Sequence, residues 1–281
     1  MKKNISMNMN IKNILYNEYI MVLFILFPAR GNDKNYWNYT STGSKCHFVD
    51  KLKKLGKVYI YTPCAYNLNS NNFEKLHVTL EKLNLDYHVE CIYNKIKHIT
   101  EPFIPIGHSI GAFYAMKFAE KYENLCKAVI LLDPSNMRGV FDVLKKDPEY
   151  NEISKYDNIK ISNLVEEIKR DFRLDIDSYQ LNLKIKILLR IITFNIQKQS
   201  KSLTLKLNIP LIIFINIDDI TPNDTKEVAD AFDFSLIRKS FFNLLIKNNM
   251  DNIYMYHLVN ATHFIHWTST NYVIDIIKKF A

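Results

Sequence analysis

A chain of 281 residues, 48% of them hydrophobic, can bury a substantial core, which excludes a disordered chain and leaves one compact unit with an insertion as the expected organisation. The formal net charge of +8 is spread along the sequence, with arginine only at Arg30, Arg138, Arg170, Arg173, Arg190 and Arg238. No arginine-rich stripe of the kind that grips nucleic acid is present, and a lysine-rich solvated surface accounts for the charge.

Residues 5–18 are Asn-rich and weakly periodic, consistent with one or two short edge strands. Met1-Lys2-Lys3 is separated by a long polar stretch from the apolar run Tyr19–Phe27, which argues against a secretion signal, and that run is too short to span a bilayer. No transmembrane segment is expected, and the run reads as a buried central strand over 20–27. A turn-rich segment, Pro28-Ala29-Arg30-Gly31-Asn32-Asp33, follows it. Phe48, Val49, Leu52 and Leu55 have helical spacing and close at Gly56, returning the chain to a strand Lys57–Thr62 in a β-α-β crossover. The segment 73–98 is helical in its second half. Phe103, Ile104 and Ile106 make a short strand, and Ala112, Phe113, Ala115, Met116, Phe118 and Ala119 give the apolar positions of the next helix.

Lys127–Asp133 is another buried strand, after which the pattern is helical from Ser135 to about Asn208. Ser162 is a cap candidate there, and an apolar helix runs near Leu181–Ile196. Residues 135–208 therefore read as a helical cap inserted into a core made of 1–134 and 209–281. Pro210–Ile217 restores the sheet, Asp218-Asp219-Ile220-Thr221-Pro222 turns, and 225–247 is helical. A last strand at 253–259, the turn Asn260-Ala261-Thr262-His263 and a closing helix over 269–280 complete the chain. Strands alternating with helices predict an α/β fold with a mostly parallel, doubly wound sheet. The cysteines Cys46, Cys64, Cys91 and Cys126 lie far apart without a C-x-x-C pair or zinc spacing, so no metal site is expected and a reducing, cytoplasmic compartment is.

Gly107-His108-Ser109-Ile110-Gly111 lies between the strand and helix just described and has the pattern of a nucleophile elbow. A sharp strand-to-helix turn strains the backbone at the serine and leaves no room for β-carbons two residues to either side. Reactive groups gather at the carboxyl ends of parallel strands, and three fall there in the order Ser109, then Asp218 or Asp219, then His263. A serine hydroxyl needs an imidazole to take its proton, and the imidazole needs a carboxylate to set its tautomer. Among the other histidines, His108 is expected to pack beneath the turn and His257 to be structural within the last strand. His266 is the rival to His263 but falls at the start of the closing helix.

From about residue 20 to 281, these motifs together resemble the α/β-hydrolase fold family. The resemblance implies a triad of Ser109 as nucleophile, His263 as general base and then acid, and Asp218 as orienting acid; Asp219 suits the spacing from Pro210 equally, and Asp133 is a third candidate. It also implies an oxyanion hole from the backbone N–H of Ile110 and a second donor in the loop after the first long strand. The family commonly has His-Gly there, whereas this chain has Pro28-Ala29, leaving Ala29 or Arg30. The implied activity is cofactor-independent cleavage of a carboxylic ester, thioester or amide of a hydrophobic small molecule through an acyl-enzyme. An acyltransferase with the same triad and a binding protein that lost turnover are the alternatives. The cap is expected to touch the acyl chain through Leu188 and Ile192, and its apolar helix admits a peripheral membrane or lipid contact.

Overall fold

The computed structural model describes residues 21–29, 34–40, 42–61, 78–134, 148–174, 178–200, 203, 207–216, 252–259 and 261–281. The expectations for 5–18, Arg30, Asp218, Asp219 and the helical segment 225–247 lie outside these residues.

Six parallel strands pair in the order β2-β1-β3-β4-β5-β6, where β1 is Val22–Phe27, β2 Gly56–Ile60, β3 Phe103–His108, β4 Val129–Leu132, β5 Leu211–Asn216 and β6 Ile253–Leu258. The four inner strands are buried along their whole length, because side chains on both faces meet helices. The edge strands are not: β6 leaves Tyr254 and Met255 exposed, and His257 is also at the surface instead of in a core position.

Strand alternation divides the core into two layers. Leu23, Ile25, Phe27, Val129, Leu131, Leu211 and Ile213 face one side, where they meet α2 (Leu85–Ile96) and α3 (Gly111–Lys121). Val22, Phe24, Leu26, Ile104, Ile106, Ile130, Ile212 and Phe214 face the other, against α1 (Phe48–Leu52), a 3-10 turn at Lys34–Trp37, α7 (Ile265–Thr268) and α8 (Thr270–Ile277). Within the inserted region lie α4 (Pro148–Ile153), α5 (Asn158–Arg173) and α6 (Ser178–Ser200). Leu188, Ile191, Ile192 and Ile196 of α6 are buried in the same layer as Phe113 and Val89, so these helices continue the core layer. Gln199 ties α6 to the start of α2, accepting from Leu85 N–H at 2.7 Å and donating to the Leu83 carbonyl at 3.1 Å.

Ser162 is not a cap: it lies within α5, whose N-cap is Asp157, with its carboxylate accepting from Lys160 N–H at 2.9 Å. The helix begins before its buried stripe, with Ile159 exposed, and apolar spacing therefore places the start too late.

The chain leaves β1 for β2 on one side and returns to place β3 on the other. The point where the winding reverses lies between the carboxyl ends of β1 and β3, the position at which open α/β sheets form a ligand crevice.

Candidate active site

At that reversal β3 ends in His108, and Ser109 follows with φ of 53°, a left-handed conformation that a non-glycine residue adopts at a cost. Both flanking glycines are required sterically. A Cβ at Gly107 would stand 2.4 Å from the Gly111 carbonyl oxygen, and one at Gly111 would stand 2.1 Å from the carbonyl oxygen of Phe27. The second clash brings the chain leaving β1 directly onto the start of α3.

Asp133, immediately after β4, is the next residue in register with Ser109, since His108 pairs with Leu132. It too has a positive φ, of 40°. Ser109 N–H donates to the Leu132 carbonyl at 3.1 Å, and Asp133 N–H to that of Phe214 at 2.8 Å, so the ladder holds both turns in place. The Asp133 carboxylate is buried. Its Oδ1 accepts from the backbone N–H of Asn216, the last residue of β5, at 3.2 Å, and its Oδ2 lies 2.7 Å from His263 Nδ1. A carboxylate only accepts, so Nδ1 carries a proton, and the tautomer that this contact selects for a neutral ring is the one with the lone pair on Nε2.

The fold has counterparts among solved structures, each matched over 92% of the present chain. They include a marine microorganism esterase (17% identity, 95% of that chain, TM-score 0.51), the RedJ thioesterase of the prodiginine biosynthetic pathway in Streptomyces coelicolor (10%, 86%, 0.52) and a lipase-esterase related protein from Clostridium acetobutylicum (14%, 94%, 0.50). The chain has the α/β-hydrolase fold. No family model and no curated protein matches the sequence, so the likeness is one of fold.

In this hydrolase fold the sequence-derived candidates are distributed as follows. Ser109 stands at the tip of the β3 turn, His263 follows β6, and the carboxylate that His263 meets is Asp133. Ile110 is buried at the N-terminus of α3, where backbone N–H groups have no acceptor within the helix and the dipole favours negative charge. Ala29 is buried beside the elbow, two residues beyond the Phe27 carbonyl that touches Gly111.

His108 is fully buried beneath the turn, as its sequence position led us to expect, yet it is hydrogen-bonded at both nitrogens. Nε2 donates to the His263 carbonyl at 2.7 Å, and Nδ1 accepts from the Tyr36 hydroxyl. Burial, reinforced by the neighbouring His263 and His266, holds the His108 imidazole well below its usual pKa, and burial pushes the Tyr36 phenol well up. His266 is also fully buried, among Tyr36, Trp37, Phe48 and His108, and burial lowers it to about 3. Among the described residues neither of its ring nitrogens makes a side-chain hydrogen bond, in contrast to His263. Sequence reasoning missed Tyr36 and the Asn216 amide. Tyr36 carries no signal beyond an aromatic pair after a turn, and a backbone amide carries none.

A surface cavity of about 550 Å³ is lined by Cys46, His47, Lys51 and Trp267–Tyr272, and by none of Ser109, Asp133 and His263. Among the described residues no helix is long and apolar enough to cross a membrane, and no three His, Cys, Asp or Glu side chains are grouped to hold a metal.

Proposed function

We propose that this protein is a serine hydrolase that cleaves a carboxylic ester or thioester of a small, hydrophobic molecule. Ser109 is the nucleophile, His263 the general base and then acid, and Asp133 the orienting carboxylate. The observation that carries this reading is the 2.7 Å contact between His263 Nδ1 and Asp133 Oδ2, next in register to a serine in a left-handed elbow. On this reading the acid is Asp133, at the end of β4, the third sequence candidate, in place of Asp218, which the spacing to Pro222 favoured and which lies outside the described residues.

The chemistry follows from the tautomer. Ser109 Oγ attacks the substrate carbonyl carbon as its proton passes to His263 Nε2, and the imidazolium formed is stabilised by the buried Asp133 carboxylate. Negative charge on the carbonyl oxygen is met by the N–H of Ile110 and by a second backbone donor at Ala29 or Arg30. Collapse expels the alcohol or thiol, which takes the proton from His263. Water, deprotonated by the same imidazole, attacks the acyl carbon, and collapse breaks its bond to Ser109 Oγ, which takes the proton back from His263 as the acid leaves. No cofactor is needed in this scheme.

The inserted helices are the proposed substrate cover, with Leu188 and Ile192 anchoring them to the core. A fluorophosphonate probe followed by peptide mass spectrometry tests the nucleophile. Modification at Ser109, lost in Ser109→Ala together with p-nitrophenyl ester hydrolysis, is the expected result. An unlabelled protein is a binding module on the hydrolase fold, and transfer of the acyl group to an added alcohol in preference to water identifies an acyltransferase.

A further inference from the structure

A general base contributes fully only when its nitrogen is held at the reacting proton, and His263 sits in a turn. Its Nδ1 is fixed by Asp133, but one contact leaves the ring free to swing about that bond. A second restraint acts on the backbone. The His263 carbonyl accepts from His108 Nε2 at 2.7 Å, and His108 is the residue immediately before Ser109. The nucleophile and the base are thereby tied to each other through one peptide unit.

The tautomer of His108 follows from its partners. A peptide carbonyl cannot donate, so the proton is on Nε2. A neutral imidazole has no second N–H, so Nδ1 accepts and the Tyr36 hydroxyl donates. Tyr36 closes the circuit from the other side: its own carbonyl accepts from Trp267 Nε1 at 3.1 Å, and the Trp267 ring stacks on Phe264 with centroids 4.0 Å apart. Trp267 and Phe264 belong to the segment that carries His263. Three pieces of chain, the 3-10 turn at Lys34–Trp37, the elbow and the His263 turn, are thus closed into one ring of contacts.

The charge of this ring matters as well as its geometry. The groups facing His108 are Tyr36, His263 and His266, and no carboxylate is among its hydrogen-bond partners. The His108 and His263 rings are 4.6 Å apart between centroids, and His263 becomes cationic during each half-reaction. A cationic neighbour at that distance would oppose the proton transfer, whereas a neutral one does not. Burial of His108 and donation from Tyr36 both favour the neutral ring.

We infer that Tyr36 and His108 are positioning residues for the general base: through the His263 carbonyl they hold its imidazole in register with Ser109. This rests on the triad reading proposed above.

The experiment compares His108→Leu, His108→Gln and Tyr36→Phe with the parent, using an activated ester and the fluorophosphonate probe, each variant being checked first for folding by circular dichroism. Leucine removes the donor. Glutamine restores an N–H near the position of Nε2. Phenylalanine removes only the hydroxyl that donates to Nδ1. Expected are a fall in kcat of roughly 100-fold for His108→Leu with KM within about twofold, as for a misplacement of a catalytic group by about 1 Å, and a parallel slowing of probe labelling. His108→Gln recovers to within about tenfold of the parent, and Tyr36→Phe shifts the acidic limb of the kcat/KM profile.

A folded His108→Leu at the parent's kcat overturns the inference. Should that variant fail to fold, a folded Tyr36→Phe with parental kcat and an unmoved acidic limb overturns it equally. Failure of the triad reading looks different: Ser109 is then unlabelled in the parent itself.

Discussion

At Asp133 one side chain joins three strand ends, because β4 carries it, β5 supplies the amide of Asn216 to Oδ1, and the turn after β6 brings His263 to Oδ2. Replacement by asparagine preserves the shape and the Oδ1 contact but removes the charge that stabilises the imidazolium and fixes the tautomer. Asp133→Asn is expected to lower kcat by roughly 10⁴, the scale of the same change in serine-protease triads. Asp218→Asn and Asp219→Asn are expected to change it by less than about tenfold on that same scale. Steady-state kinetics on all three variants decides the matter, and a reversal moves the acid to 218 or 219. Asp133 was one of three sequence candidates because motif spacing ranks carboxylates by distance from a proline. What ranks them physically is which one reaches Nδ1, and that depends on the pairing of β4 with β5, between which nearly eighty residues of sequence intervene.

Among the elements, α6 is where apolar patterning and location part. The helix shows more apolar residues than one face can bury. Its sequence therefore reads as a substrate-contacting lid, and the structure seats Leu188, Ile191, Ile192 and Ile196 at spacings of three and four against the core layer, while Tyr179 and Leu183 remain exposed. Leu188→Ala or Ile192→Ala should cost about 2–5 kcal/mol, since a fully buried side chain leaves a cavity that its neighbours fill only in part. Leu183→Ala should stay within about 0.5 kcal/mol, as for most surface changes. Chemical denaturation midpoints at constant m-value measure the difference. Equal small effects at all three positions would mean that α6 does not share the core.

At the scale of the whole molecule, three histidines among the described residues are buried with their pKa values held down by that burial: His108, His266 and His88, the last bonded to the Tyr61 hydroxyl at 2.5 Å and lowered to about 4. The unfolded chain takes up these protons near pH 6.5, while the folded chain resists until well below that. Stability is therefore complete above about pH 6.5 and declines as the pH falls toward the depressed folded values, at up to about 1.4 kcal/mol per pH unit for each group. The melting temperature should drop between about pH 6.5 and pH 4, and His88→Gln should flatten part of that slope even where it lowers stability at pH 8. A melting temperature that is level across this range would show that the histidines are charged in the native state.

Fold class was legible in the sequence because its signals are local. Four near-continuous apolar runs became the four inner strands, the Gly-x-Ser-x-Gly spacing became a left-handed elbow, and helical spacing at Phe48 and after Ala112 became α1 and α3. Such patterns record which faces of a segment are buried, and each residue's own stereochemistry enforces them. The placement of Ser109 and His263 after strands was legible for the same reason. The tertiary structure alone decided that His263 meets Asp133, that His108 donates to the His263 carbonyl and is bonded to Tyr36, and that α6 belongs to the core layer. Each of these joins residues far apart in sequence, by one hydrogen bond or by packing against a distant element, and contacts at that range leave no periodic trace in the order of the amino acids.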